Sequence, residues 1–229
     1  MKFPILLPSR KEMTWGWRYL AFETVFLGYF LRLFVRFLNL SWNSSQINLF
    51  CFCLTFAVTA ILFRHFIQES ARLAAKRIPV ILITVVTGFF VFCALTAAVS
   101  LGIVAIEPSF FNVNNLNISI IRRNYYWQTA FCAIFLVPVA EELLHRGAIF
   151  GGLYKRSKLA AYLVSVAVFA LIHIVAYIGH FEPKHLLLCF VQYIPAGICL
   201  AISYDITGCI AAPILLHAAI NAVGILAMR

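Results

Sequence analysis

The sequence predicts an all-α fold, a polytopic transmembrane bundle of about seven spans. Three observations lead there. Of 229 residues, 63% are hydrophobic and only 11% charged, with a mean hydropathy of +0.95, a balance that an ordinary soluble domain does not keep. The apolar residues fall into runs of roughly 20, the length a helix rising about 1.5 Å per residue needs to cross a ~30 Å hydrocarbon layer. The basic residues cluster between those runs and alternate in density from one connection to the next.

Taken in order, the spans are expected at Tyr19 to Leu40, Ile47 to Phe66, Ile78 to Ile106, Trp127 to Phe150, Leu159 to Ile178, Leu186 to Ser203 and Ile206 to Met228. The first holds Glu23, Arg32 and Arg36 and could lie partly in the interface, its arginines paired or snorkelling; no chemistry is assigned to the three. The third is long enough to tilt or to break near Gly102. The stretch "EPSFFNVNNLNISIIRRNYY" carries Pro108 and five asparagines and reads as a loop. Gly151 and Gly152 precede "KRSK" and are expected to end the fourth helix. Two portions of one integrated membrane domain are expected, N-terminal helices over 1–124 and a C-terminal core over 125–229.

One set of connections carries Lys2, Arg10, Lys11, Arg18, Arg64, Arg72, Lys76, Arg77, Lys155, Arg156 and Lys158; the other carries only Arg122, Arg123, Lys184 and Arg229. By the positive-inside rule the N-terminus is cytoplasmic. The formal charge of +10 forms no basic stripe with interleaved aromatics, so no nucleic-acid partner is expected. The seven cysteines lie in apolar segments without a C-x-x-C pair, and read as packed or lipid-facing thiols. "FPILLP" is too short for a signal-peptide core, so the first span is expected to stay as an anchor.

Chemistry concentrates in "VPVAEELLHRGAIFGGLY", Val137 to Tyr154. Of eight acidic residues, three fall inside apolar runs, and two of these are the neighbours Glu141 and Glu142. An ionisable group at span depth costs at least about 2.5 kcal/mol on insertion scales and marks a functional candidate. On a helix Glu142 and Arg146 share a face and can pair, while Glu141 is turned about 100° away and stays free to act as a general base. The fifth span supplies Phe169 and His173 in "FALIH"; the seventh supplies His217 and Asn221, one turn apart, in "PILLHAAIN". Glu141 and His217 count to similar depths, about 15 and 18 Å, and His173 to about 23 Å. Glu141 could deprotonate a water, while histidine and asparagine donors stabilise the oxyanion on a scissile carbonyl. Taken singly, each of these is as well read as a structural ion pair or interhelical polar contact. Glu142-x-x-His145 also fits half of a di-iron motif, but its only counterpart, Glu182 to His185, is broken by Pro183, so His145 is read as secondary.

"EELLHR", "FALIH" and "HAAIN", in this order on three separate spans, resemble the three motifs of the CAAX protease and bacteriocin-processing (Abi) family of intramembrane peptidases, similar to type II CAAX prenyl endopeptidases. "DITGCIAAPILLH" looks like the lead-in to that family's third motif. The resemblance covers about Trp127 to Leu226. It implies catalytic roles for Glu141, His173, His217 and Asn221, with Glu141 activating the water, and supporting roles for Glu142, Arg146 and Phe169. No cofactor is favoured. If a divalent metal such as zinc were bound, Glu141, His173 and His217 would be its ligands, although H-E-x-x-H is missing and two spans would have to contribute. The implied substrate is a membrane-associated peptide or protein, processed as a CAAX protein or as a bacteriocin. Multi-pass residence follows, in the plasma membrane of a bacterium or the endoplasmic reticulum of a eukaryote. The competing expectations are a non-catalytic immunity or scaffold protein and a proton-coupled carrier.

Overall fold

A computed structural model describes residues 3–227 of the chain. The described residues form nine helices, a single 3₁₀ turn and no strands: α1 (10–37), α2 (Ser44–Leu62), α3 (Arg64–Ala75), α4 (Ile78–Ile106), α5 (Val113–Asn124), α6 (Tyr126–Tyr154), α7 (Lys158–Ile172), α8 (Pro183–Thr207) and α9 (Ala211–Ala227). The protein is all-helical and integral to a membrane. Four helices, α2, α4, α6 and α8, are long and apolar enough to cross a membrane by themselves, while α7 and α9 are apolar but shorter. The expected count of seven spans is therefore carried by length and composition for four. Met228, the expected end of the seventh, lies outside the described residues, as do Lys2 and Arg229.

The helices sort by burial. Over half of the most apolar window of α8 and 39% of that of α6 are buried, against 17% for α2 and 11% for α4. Thus α6 and α8 are central, and α4 presents Leu82, Ile83, Phe90 and Leu101 outward as a lipid-facing wall needs. The main core lies around α6, where Leu143, Leu144, Ala148, Ile149 and Phe150 pack with Phe63, Phe66, Ala201 and Tyr204.

Three expectations change. The polar stretch after α4 is not all loop, because Asn112 caps a helix: its Oδ1 accepts from the N–H groups of Asn114 and Asn115, both at 3.0 Å, and Arg122 and Arg123 sit in the last turn of α5, where cations suit the dipole. Gly151 and Gly152 do not end α6, which runs on to Tyr154; they let the N-terminal segment approach, since a Cβ at Gly151 would lie 3.4 Å from Leu7 and one at Gly152 would lie 3.5 Å from the Trp17 indole nitrogen. The second apolar run, expected to continue to Phe66, is divided at Phe63. Glu12 Oε1, from α1, accepts the Phe66 N–H at 3.1 Å, satisfying one of the free donors at the start of α3. No break occurs at Gly102; α4 is continuous.

Residues 3–8 form a strap across the end of α8. Gly208 ends that helix in the left-handed conformation at φ 62°, Arg77 Nη1 donates to the Thr207 carbonyl at 2.6 Å, Leu6 N–H donates to the Gly208 carbonyl at 2.9 Å, and the Tyr204 hydroxyl donates to the Leu6 carbonyl. A Cβ on Gly208 would run into the Pro4 carbonyl and come within 2.8 Å of the Arg77 guanidinium. Gly208→Ala is expected to lower Tm, the left-handed backbone alone costing about 1–2 kcal/mol and the displaced strap adding to it. A thermal unfolding curve equal to that of the wild type would refute this.

Candidate active site

Helix α6 positions the site, and its irregular turns decide how. Around Cys132–Leu136 it widens into a π turn, in which the Val137 N–H bonds to Cys132 O. The next donor in that pattern would be Pro138, which has no N–H, so the Ala133 carbonyl is left open. Asn221 of α9 fills it, its Nδ2 donating at 2.8 Å. A proline in α6 thus fixes the side chain of Asn221 and leaves its second amide hydrogen available.

Glu142, Arg146 and His217 form a buried network. Arg146, with 0% of its surface exposed, donates from Nη1 to Glu142 Oε1 at 3.1 Å and from Nη2 to the Gly197 carbonyl at 2.9 Å. His217 Nδ1 approaches the same Glu142 oxygen at 2.8 Å and must carry the hydrogen, because a carboxylate only accepts. Phe169 is the common wall. Its ring centroid lies 4.9 Å from the Arg146 guanidinium carbon, 4.8 Å from the His173 ring and 5.8 Å from the His217 ring. Gly197 lets α8 come this close to α7, since a Cβ there would meet Val166 Cγ1 at 3.0 Å.

Glu141 stands apart from this network. Its Oε2 lies 3.9 Å from His217 Nε2, too long for a hydrogen bond, and is buried without a partner. His173, which follows the last residue of α7, donates from Nδ1 to the Phe169 carbonyl at 2.7 Å, so Nε2 carries the lone pair in the neutral ring. The ring stacks on Tyr193 at 4.0 Å. The Tyr193 hydroxyl in turn bonds Asn112 Oδ1 at 3.2 Å and receives Asn114 Nδ2 at 3.1 Å, so α5 supports His173 from behind.

A cavity of about 570 Å³ joins these groups, and Glu141, His173, His217 and Asn221 all line it. Glu142, Arg146 and Phe169 stand behind that wall through the contacts above. Among the described residues no three His, Cys, Asp or Glu side chains are grouped so as to hold a metal ion.

Three motif segments thus converge on one cavity. Residues 123–223 match the family model of type II CAAX prenyl endopeptidase Rce1-like proteins. The Rce1-like region begins in α5 and ends in α9, contains every site residue expected from the three motifs, and covers under half of the 229 residues. Helices α1 to α4 lie outside it. The family is one of peptidases. No curated protein and no solved structure matches the chain.

The cavity also takes in residues that the motifs do not point to. His145, read as secondary, is completely buried and lines it, with Nδ1 on the Glu141 carbonyl at 2.7 Å and Nε2 unpartnered. Its position four residues after Glu141 was the available signal. Glu23 of α1, assigned no chemistry from the sequence, lines the same cavity from outside the Rce1-like region. Tyr193 and Asn112 carry no signal of their own in the sequence. Glu182 and His185 border a separate recess with Glu107 and Lys184, remote in the fold from Glu142 and His145.

Proposed function

We propose that the protein is an intramembrane endopeptidase that hydrolyses a peptide bond of a membrane-associated substrate with a water activated by Glu141. The observation that supports this most is the contrast between two adjacent carboxylates. Glu142 accepts from both Arg146 and His217, while Glu141 keeps a buried oxygen with no partner on the cavity surface. A carboxylate held without a structural partner in a desolvated site is suited to taking a proton. Glu141 removes a proton from water as the oxygen attacks the carbonyl carbon. In its imidazolium form His217 presents Nε2–H to the oxyanion, and Asn221 offers its second amide hydrogen. The neutral His173 ring, an acceptor at Nε2, orients the attacking water. Collapse of the tetrahedral intermediate breaks the C–N bond, and Glu141 returns its proton to the leaving amine.

CAAX-type processing and processing of a hydrophobic bacteriocin both suit such a site. The strap of residues 3–8, Arg77 and Lys158 all meet the last turns of α8, Lys158 Nζ lying 2.6 Å from Asp205 Oδ2, which gathers the more basic connections at one end of the bundle. That arrangement supports a cytoplasmic N-terminus. The site residues and the division at 124/125 are part of this proposal.

The test is cleavage of a library of membrane peptides by the purified chain in lipid, with and without a strong chelator. Turnover that persists with chelator and disappears in His217→Ala is expected. Turnover that the chelator abolishes and zinc restores would overturn the metal-free mechanism, and equal turnover by folded His217→Ala would favour a scaffold role for the cluster.

A further inference from the structure

Among the described residues that line the cavity, four buried polar atoms have no partner; one is the Thr96 hydroxyl, which can donate as well as accept, and the other three share one chemical character. Glu23 Oε2, Glu141 Oε2 and His145 Nε2 are all buried, all without a partner, and all belong to residues that line it. The carboxylate oxygens are acceptors. So is His145 Nε2, because its other nitrogen must donate to the Glu141 carbonyl. Among the described residues the lining contains no lysine or arginine, and Arg146 is already engaged by Glu142 and Gly197. A cavity with several buried acceptors and no cation is incomplete, since an unmet buried acceptor costs about 1–3 kcal/mol.

The carboxylate of Glu23 is built to face inward. Tyr19 OH donates to Thr55 Oγ1 at 3.2 Å, and Thr55 Oγ1 donates to Glu23 Oε1 at 3.1 Å, which ties one oxygen down and leaves the other open. Glu23 also begins a π turn in α1, a feature that re-aims side chains and often marks functional positions. A metal ion does not answer the need, because among the described residues no three such groups come close enough together to bind one. An extended group with several N–H donors does.

We propose that the cavity takes a basic side chain of the substrate, arginine or lysine beside the scissile bond, against Glu23 and His145. A guanidinium spreads five N–H donors over a rigid fork, and its charge enters a largely apolar cavity only if a carboxylate compensates it there. Glu23 supplies that charge, and His145 accepts a further N–H. This rests on the peptidase reading and names the substrate class for it.

The test separates the two ideas by measuring binding as well as cleavage. The full chain, in nanodiscs of uncharged phosphatidylcholine, is titrated with fluorescent lipid-anchored peptides identical except for arginine or its neutral isostere citrulline at one central position. Arginine is expected to bind about tenfold more tightly, as suits a charge-assisted contact, and Glu23→Gln or His145→Phe to narrow the ratio. The ratio of the two peptides is the readout, because general damage to the fold weakens both alike. Equal binding by the wild type, or a ratio that persists in both variants, would overturn the proposal. Selective binding without cleavage would sink the peptidase reading and keep this one. Cleavage with no preference between the peptides would do the reverse.

Discussion

Glu141→Gln is expected to reduce kcat/KM for any cleaved peptide by about a thousandfold, within the range that loss of a general base produces, and to leave Tm unchanged or slightly raised. The stability half follows from the same observation as the activity half. Glu141 Oε2 accepts no hydrogen bond in the folded protein and its His217 Nε2 neighbour stands 3.9 Å away, so replacing the carboxylate by a neutral amide gives up at most one long contact and removes charge from a partly desolvated site. Glu142→Gln is the informative control. It removes charge from the oxygen that accepts both Arg146 and His217, so Tm falls together with activity. If the two variants lost stability equally, the distinction between a reactive and a structural carboxylate would be wrong. Single-turnover cleavage and thermal unfolding in the same lipid preparation measure both quantities.

The sequence made the difference in pairing between Glu141 and Glu142 legible, because helix geometry alone turns neighbours about 100° apart and puts Glu142, not Glu141, beside Arg146. The three motif segments were legible too, since each places two of its marked residues four positions apart in an otherwise apolar run: Glu142 and Arg146, Phe169 and His173, His217 and Asn221. Helix existence followed from hydropathy. Boundaries were less accessible, because hydropathy cannot see a capping asparagine: Asn112 starts α5 inside what composition describes as a loop. Nor can it see distant capping, as where Glu12 takes the Phe66 N–H and helps to divide one apolar run into two helices. Glu23 shows a different limit. Its depth in an apolar run was visible, but its direction depends on a π turn and on Thr55, thirty-two residues away in sequence, and neither has a local signature. Tyr193 is similar, since stacking on His173 depends on how α8 passes α7 at Gly197.

Arg146→Met is expected to cost about 3–5 kcal/mol of stability, the largest effect of any single substitution considered, because it strands a buried carboxylate. Arg146 is the largest completely buried side chain among the described residues and sits between three helices: it pairs with Glu142 in α6, bonds the Gly197 carbonyl of α8 and lies over Phe169 of α7. Removing the guanidinium leaves Glu142 with only His217 as a partner and leaves the Gly197 carbonyl with one fewer donor. The double variant Glu142→Leu with Arg146→Met removes both charges at once and is expected to recover most of the lost stability, since well-packed apolar residues often replace a buried pair at little cost. It is not expected to recover activity. His217 takes its orientation from Glu142 Oε1, and without that acceptor its imidazole loses the hydrogen bond that points Nε2 toward Glu141. A double-mutant cycle on unfolding free energy, run beside a cleavage assay, therefore separates the two uses of the network. Recovered stability with absent turnover identifies the ion pair as the support of His217. Recovered stability with recovered turnover would show that the fold alone holds the imidazole, and that Glu142 has no part in positioning it.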